Sequence, residues 1–316
     1  MLKKDELTIY LTPKCNFKCK HCYIEPGSTP LSLDDLQWVL DNIKNKRTTF
    51  LGGEPLMFPY LRDCIDAFPG VTISTNGSLI SEKNIGWLKG VNGIQLSAEI
   101  GKEETDYIRG KGTWDMLMEK RKLLEREDID YYFRVSFYEQ NLGGLQQFHD
   151  LEVPLVLFPR IGKPPLNEEL TAKLFEEIMK HKNWILALPN FMRYLGKNGR
   201  CKAGSERLNV TYNRKITPCN FDFEYHLGKI GDELSSIEKN IDNYLSTVKT
   251  IPSECAGCKY AKTCRGSCYA ANASKGCPLR YNFNISNFAT KYGMSQSDIQ
   301  DQADMTVDFM KKMLVC

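Results

Sequence analysis

The chain has 316 residues, 42% of them hydrophobic and 26% charged, a size that fits about two domains with a large core. A net charge of +3 spread along the length offers no basic face for nucleic acid and no polybasic patch for a membrane surface. No apolar run approaches the ~18 residues of a membrane span, and Met1-Leu-Lys-Lys-Asp-Glu6 lacks a signal-peptide shape, so the expected location is the cytoplasm. In a reducing compartment, 12 cysteines point to metal binding rather than to a disulfide framework.

From residue 7 to about 185 the pattern alternates strand and helix. Strand-like runs fall at 7–12, 48–51, 71–75, 94–98, 131–138 and 153–158. Between them lie helical stretches, among them Leu31–Ile43, opening on the capping pattern Ser32-Leu-Asp-Asp35, and the longest, Glu103–Arg126. Six β-α units imply an α/β fold with a parallel sheet, open or curled into a partial barrel, whose ligands bind at the C-terminal ends of the strands.

The stretch Cys15-Asn-Phe-Lys-Cys19-Lys-His-Cys22 follows the first strand and holds three cysteines in eight residues. Three thiolates on one loop can hold three irons of a four-iron cluster and leave the fourth open for chemistry. A zinc knuckle is the bland alternative, but it usually brings four ligands in paired spacings, and only His21 lies near. Gly52-Gly53-Glu54-Pro55 follows the second strand, Ser74-Thr-Asn76-Gly77 the third, and Ser97-Ala-Glu99-Ile-Gly101 the fourth. Each alone is an ordinary turn. Their shared place at successive strand ends, beside a cysteine loop, marks one site. Glu54 offers a carboxylate to a cation, and the paired glycines permit close approach to the backbone.

Beyond residue 185 the alternation stops. Cys201 and Cys219 flank a hairpin expected to turn at Asn213-Arg214, followed by Cys255-x2-Cys258-x5-Cys264-x3-Cys268 and then Cys277. Spacing alone leaves zinc and iron–sulfur both open for these seven. Cys64 sits on a helical apolar face and is expected to be a core thiol; Cys316 ends an amphipathic helix through Ile299, Ala303, Val307, Met310 and Leu314.

These motifs resemble the radical S-adenosylmethionine (radical SAM) enzymes. Cys15, Cys19 and Cys22 match the family's C-x3-C-x2-C signature, with His21 before the third cysteine, and Gly52-Gly53-Glu54-Pro55 matches its GGEP motif. The segment Leu96–Gly112 is similar to the one that usually reads Ser-Leu-Asp-Gly and then Ile-Arg-Gly; Ala98 and Glu99 stand where Leu and Asp are usual. The C-terminal cysteines match, in order, the SPASM extension, with Arg214 where glycine is usual.

The resemblance implies a partial (β/α)6 barrel over residues 1–185 and a cysteine-rich SPASM domain with a β-hairpin and a C-terminal helix over 186–316. It implies a [4Fe–4S] cluster on Cys15, Cys19 and Cys22 whose open iron takes the amino and carboxylate groups of S-adenosylmethionine. Glu54, Gly52 and Gly53 would receive the methionyl ammonium, Ser97 the ribose, and Asn76 and Arg109 the nucleoside and carboxylate, with His21 alongside. Two auxiliary iron–sulfur clusters, of the [4Fe–4S] type, would sit on Cys255, Cys258, Cys264 and Cys277 and on Cys201, Cys219 and Cys268. The implied activity is a 5′-deoxyadenosyl radical that takes hydrogen from a ribosomally made peptide, with crosslinking, epimerisation or oxidation as the outcome, or from a small molecule.

The partner it implies is an electron donor such as flavodoxin or ferredoxin. Since the first strand begins near residue 7, the peptide-binding domain of many crosslinking members is expected to be absent, and either a separate peptide-delivery protein brings the substrate or the enzyme recognises it directly. A non-catalytic iron–sulfur carrier or binding protein is the alternative of another class. Retention of Gly52, Gly53 and Glu54 weighs against it.

Overall fold

The computed structural model describes residues 1–25, 27, 29–181, 183–188, 191, 193, 200–248, 250–268, 270, 271, 274, 275, 277, 293, 295, 297, 298, 300, 301 and 304. Cys316 and the apolar positions expected for the C-terminal helix lie outside these residues. In chain order the strands are β1 (Leu2–Lys3), β2 (Glu6–Thr12), β3 (Ile43–Lys44), β4 (Arg47–Gly52), β5 (Val71–Thr75), β6 (Gly93–Ser97), β7 (Tyr131–Phe137), β8 (Leu155–Pro159), β9 (Trp184–Leu186), β10 (Arg207–Val210), β11 (Lys215–Thr217) and β12 (Gly228–Lys229). The main sheet has the order β12-β11-β10-β2-β4-β5-β6-β7-β8-β9; it is parallel from β10 to β9, and β11 and β12 run antiparallel at one end.

All six strands expected between residues 7 and 158 are present, and β9 adds a seventh in the same direction. The hairpin of β10 and β11 lies beyond residue 185, yet β10 pairs with β2, so one continuous sheet crosses that point. At its turn, expected at Asn213-Arg214, Arg214 takes the left-handed conformation (φ 64°), and its Nε donates to Asp35 Oδ1 at 2.8 Å. That contact supplies a reason for a side chain where the related pattern has glycine.

Helix α1 (Leu33–Asn42) starts where the sequence says it should: Ser32 Oγ accepts from Asp35 N, and Asp35 Oδ2 accepts from Ser32 N. Helices α2 (Leu61–Ala67) and α3 (Ile85–Leu88) follow β4 and β5. The stretch expected as one helix over 103–126 is two, α4 (Lys102–Arg109) and α5 (Thr113–Arg126). Gly110 (φ 124°) and Gly112 (φ 84°) adopt dihedrals that a continuous helix cannot contain.

Side chains alternate across the sheet. Leu7, Ile9 and Leu11 of β2, with Phe50, Ile73, Leu96, Phe133 and Leu157, join the large core under the helices, as does Cys64. Burial pushes the Cys64 thiol up to about 12, as suits a core thiol. The opposite face carries Tyr10 and Leu51 in one small cluster and Tyr132, Val156, Phe158 and Ile185 in another. In a flat sheet β2 and β8, five steps apart in the order, would stand about 24 Å apart. Phe223 packs edge-on to Tyr10 (5.5 Å) while Phe221, two residues away, packs on Phe158 (5.8 Å). The sheet therefore curls into a trough around residues 221–223.

Candidate active site

Cysteine loop and strand ends meet at one edge of the trough. Past β2, Phe17 N donates to Cys15 Sγ at 3.3 Å and Cys22 N to Cys19 O at 3.1 Å; Lys20 N donates to Ile108 O at 2.9 Å, fastening the loop to α4. Cys15 and Cys19 are half-buried and Cys22 is exposed. Burial pushes the first two thiols up. No three His, Cys, Asp or Glu side chains among the described residues gather closely enough to share a single metal ion. A four-iron cluster takes each thiolate on a different iron, so it requires no such convergence.

The glycines after β4 serve this loop directly. A Cβ on Gly52 would lie 2.4 Å from Thr12 O, and one on Gly53 2.3 Å from Lys14 O. Gly53 N donates to Thr12 O (2.7 Å) and Glu54 N to Lys14 O (2.8 Å). The space that the missing side chains leave is filled by the base of the cysteine loop. Glu54 itself is 1% exposed. Its Oε1 accepts from Thr75 Oγ1 (2.7 Å) and Leu56 N (3.1 Å), and its Oε2 from Asn76 N (2.8 Å). Burial nevertheless holds its carboxyl above the usual value. Asn76 Nδ2 donates to Asn16 Oδ1 at 3.0 Å, 3.9 Å from Cys15 Sγ, while its Oδ1 accepts from Ser78 N and Oγ. Asn76 thus braces the cysteine loop with its own polar groups.

At the end of β6, Glu99 is 1% exposed and accepts on Oε1 from Arg109 Nε (2.9 Å) and Nη2 (2.8 Å). Its Oε2 has no hydrogen-bond partner among the described residues; Arg160 Nη2 is 3.9 Å away. His21 Nε2 lies 3.6 Å from Glu99 Oε1, but partial burial and the Arg109 and Arg160 cations push the ring down to about 4, so it is neutral at pH 7. Arg109, expected to meet a cofactor carboxylate, is thus held by Glu99. Ser97 stands beside this pair at the end of β6.

Other residues enter that the sequence motifs did not single out. Glu104 accepts from Tyr138 Oη (2.7 Å), Asn141 Nδ2 (2.8 Å) and Arg160 Nη1 (3.2 Å), closing the edge above β7 and β8. Inside the trough Tyr10 and Tyr23 share a hydroxyl hydrogen bond of 2.9 Å, and Tyr132 Oη, Gln95 and Ser74 form a chain of 2.7 Å bonds. Arg134 lies on this inner face as well. One lone charge in the aromatic run Tyr131-Tyr-Phe-Arg-Val-Ser-Phe-Tyr138 was the available signal for it.

The later cysteines form two neighbourhoods. Cys219 Sγ accepts from Phe221 N at 3.4 Å; burial, with the nearby Cys201 adding to it, pushes that thiol up to about 11. Cys264 is likewise pushed up to about 11 by burial, with Cys277 and Cys255 close enough to act on it. Cys258 N donates to Cys255 O at 3.1 Å. Arg265, Gly266 and Ser267 all have positive φ and reverse the chain between Cys264 and Cys268.

A curled parallel sheet with a three-thiol loop braced at its C-terminal edge defines an α/β protein built to hold a reactive group there. Residues 9–151 match the Radical SAM superfamily. An uncharacterized protein of Archaeoglobus fulgidus is 34% identical over 95% of this chain and 83% of its own length. The chain belongs to the Radical SAM superfamily. It is also 24% identical to the antilisterial bacteriocin subtilosin biosynthesis protein AlbA of Bacillus subtilis, over 71% of this chain and 56% of AlbA. It spans about half the length of the curated relatives it first matches. Streptococcus suis SuiB bound to S-adenosylmethionine shares the fold, with a TM-score of 0.65 and 17% identity over 87% of this chain and 75% of SuiB. Among the described residues no helix is long and apolar enough to cross a membrane.

Proposed function

We propose that this protein is a radical SAM enzyme that starts radical chemistry on a ribosomally made peptide. One observation carries the reading: Cys15, Cys19 and Cys22 stand on a loop whose base is strapped to Gly53 and Glu54 and whose flank is braced by Asn76. In this reading the three cysteines hold a [4Fe–4S] cluster. When bound, cluster and S-adenosylmethionine supply a 5′-deoxyadenosyl radical that takes hydrogen from the substrate.

The chain's own residues fit those groups. A carboxylate offers about four acceptor positions, and Glu54 uses three, which leaves one for the methionyl ammonium. The unpartnered Oε2 of Glu99, beside Ser97, suits a ribose hydroxyl. Arg109 orients Glu99, and neutral His21 adds no second cation against it. The curled sheet and the 221–223 segment enclose the trough in which a substrate would be held against that radical.

The region from about residue 186 is read as a SPASM-type cap. Cys255, Cys258, Cys264 and Cys277 would hold one auxiliary cluster, and Cys201, Cys219 and Cys268 a second; the proximity of Cys201 to Cys219 and of Cys255 and Cys277 to Cys264 supports that grouping. Peptide as substrate class is supported by the likeness to AlbA, and by SuiB, which has been solved with its precursor peptide SuiA. A flavodoxin or ferredoxin would donate electrons.

The test is anaerobic iron and sulfide analysis of reconstituted protein, then dithionite reduction with S-adenosylmethionine and chromatography for 5′-deoxyadenosine. About twelve irons per chain with product supports the proposal. Product with about four irons removes the auxiliary clusters from it, and no product overturns it.

A further inference from the structure

Arg134 lies on the inner face of β7, in register with Ser97 of β6 and Val156 of β8. Its guanidinium carbon is 4.5 Å from the centre of the Phe158 ring and 5.6 Å from that of Phe221. Among the described residues no carboxylate pairs with it, and its N–H groups make no hydrogen bond. The other guanidinium groups near the trough are committed: Arg109 to Glu99, Arg160 to Glu104, Arg207 to Glu6. Its neighbours on the inner face, among them Tyr10, Gln95, Ser97, Tyr132 and Phe158, are uncharged.

Arg134 is partly buried, and holding a cation even partly out of water without an anion carries a cost. Two aromatic faces offset part of that cost, but they leave the edge of the fork, with five N–H donors, unused. The charge also faces the space beneath the cysteine loop, since it acts on both hydroxyls of the Tyr10–Tyr23 pair. A planar fork lying against two adjoining rings, with its N–H groups unpaired, matches a carboxylate in two parallel hydrogen bonds.

We propose that Arg134 anchors a carboxylate of the substrate on the inner face of β7, so that the attached carbon skeleton lies under the Cys15–Cys22 loop. This rests on the proposed function and narrows it: the substrate presents an anion to the trough. In a peptide that anion is either the terminal carboxylate or an acidic side chain, and the geometry asks only for the shared group.

The test uses cluster-reconstituted protein saturated with S-adenosylmethionine and measures binding calorimetrically with two matched pairs. N-acetylphenylalanine against its amide probes a chain end; N-acetylglutamic acid α-amide against N-acetylglutamine amide probes a side chain. In wild type the acid of at least one pair should bind about 10- to 100-fold tighter than its amide, the range expected of a charge-assisted hydrogen bond. The preference should fall to near unity in Arg134→Gln and return in part in Arg134→Lys, which keeps the charge but not the fork. Acids that bind no better than amides, absence of binding included, overturn the inference, as does a preference that survives Arg134→Gln. The cofactor's own carboxylate, were it the anion on Arg134, would give that same lack of preference. 5′-Deoxyadenosine formed by wild type in parallel separates the outcomes: its absence strikes the proposed function, while its presence without acid preference strikes only the anchor.

Discussion

Glu6 and Arg207 are 201 residues apart and share a carboxylate oxygen: Oε2 accepts from Arg207 Nε at 2.9 Å and from Nη2 at 2.7 Å. The other oxygen takes Lys202 at 2.6 Å and Arg47 at 3.0 Å. Three cations around one fully buried anion clamp β10 to β2 and β4 at the end of the sheet away from the cysteine loop.

Burial alone would raise the Glu6 carboxyl, but Arg207 and Lys202 hold it below its ordinary 4.5. A carboxyl lowered in the folded state adds stability above that ordinary value and loses it as pH falls through the folded one. Glu6→Gln should therefore cost about 3–5 kcal/mol at pH 7, because it leaves buried cations unmatched. It should also flatten the acid limb of the stability curve below pH 4.5. Urea unfolding across pH measures both.

Gly53→Ala would push a Cβ into the Lys14 carbonyl, a backbone atom that cannot rotate away. A loss of about 1–3 kcal/mol is expected, together with poor iron retention at the cysteine loop. Gly86→Ala, in α3 with nothing within 4 Å of the added carbon, is the matched control and should be neutral or slightly stabilising. Thermal unfolding and iron analysis of the two variants provide the comparison.

Glu54→Gln replaces an acceptor of three hydrogen bonds by a group that must turn an N–H₂ towards one of the donors. A destabilisation of about 2 kcal/mol is expected from that conflict, and under the proposed function S-adenosylmethionine should bind more weakly, because the carboxylate assigned to its ammonium is gone. Equilibrium dialysis on reconstituted protein checks the affinity. Unchanged binding would remove Glu54 from the cofactor site.

Cys19→Ala should lower iron by about four per chain and abolish 5′-deoxyadenosine while leaving the later cysteines loaded. Chelating all the iron should do something different. Thiols pushed up by burial, as those of Cys219 and Cys264 are, stay protonated without metal and no cluster ties their segments together, so the region after residue 186 should lose protease resistance first. Limited proteolysis with mass mapping distinguishes the two effects, and an iron-free protein as resistant as the loaded one would contradict the second.

Much of this arrangement was legible in the sequence because it depends on local pattern. The six strands, the Ser32 cap and the cysteine and glycine motifs are read within a few residues of themselves. The break at Gly110–Gly112 was visible as composition, but apolar periodicity on both sides disguised it as one helix. Pairing of β10 with β2 was not legible, since it joins residues some two hundred apart and leaves no local mark. Roles of the glycines also needed coordinates: only geometry shows that the base of the cysteine loop packs where side chains on residues 52 and 53 would stand. Arg134 was overlooked because nothing near it in sequence says which charges its neighbours neutralise.

The seating of β10 against β2 also sets a timetable for biosynthesis. The strand that bears the cysteine loop leaves the ribosome some two hundred residues before its partner β10, so one of its edges stays unpaired until residues 207–210 emerge. At about 5–20 residues per second that wait lasts on the order of 10–40 s. Through that interval an apolar edge strand and three thiols are open to other chains, so expression at low temperature with chaperone capacity and ample iron should raise the soluble yield.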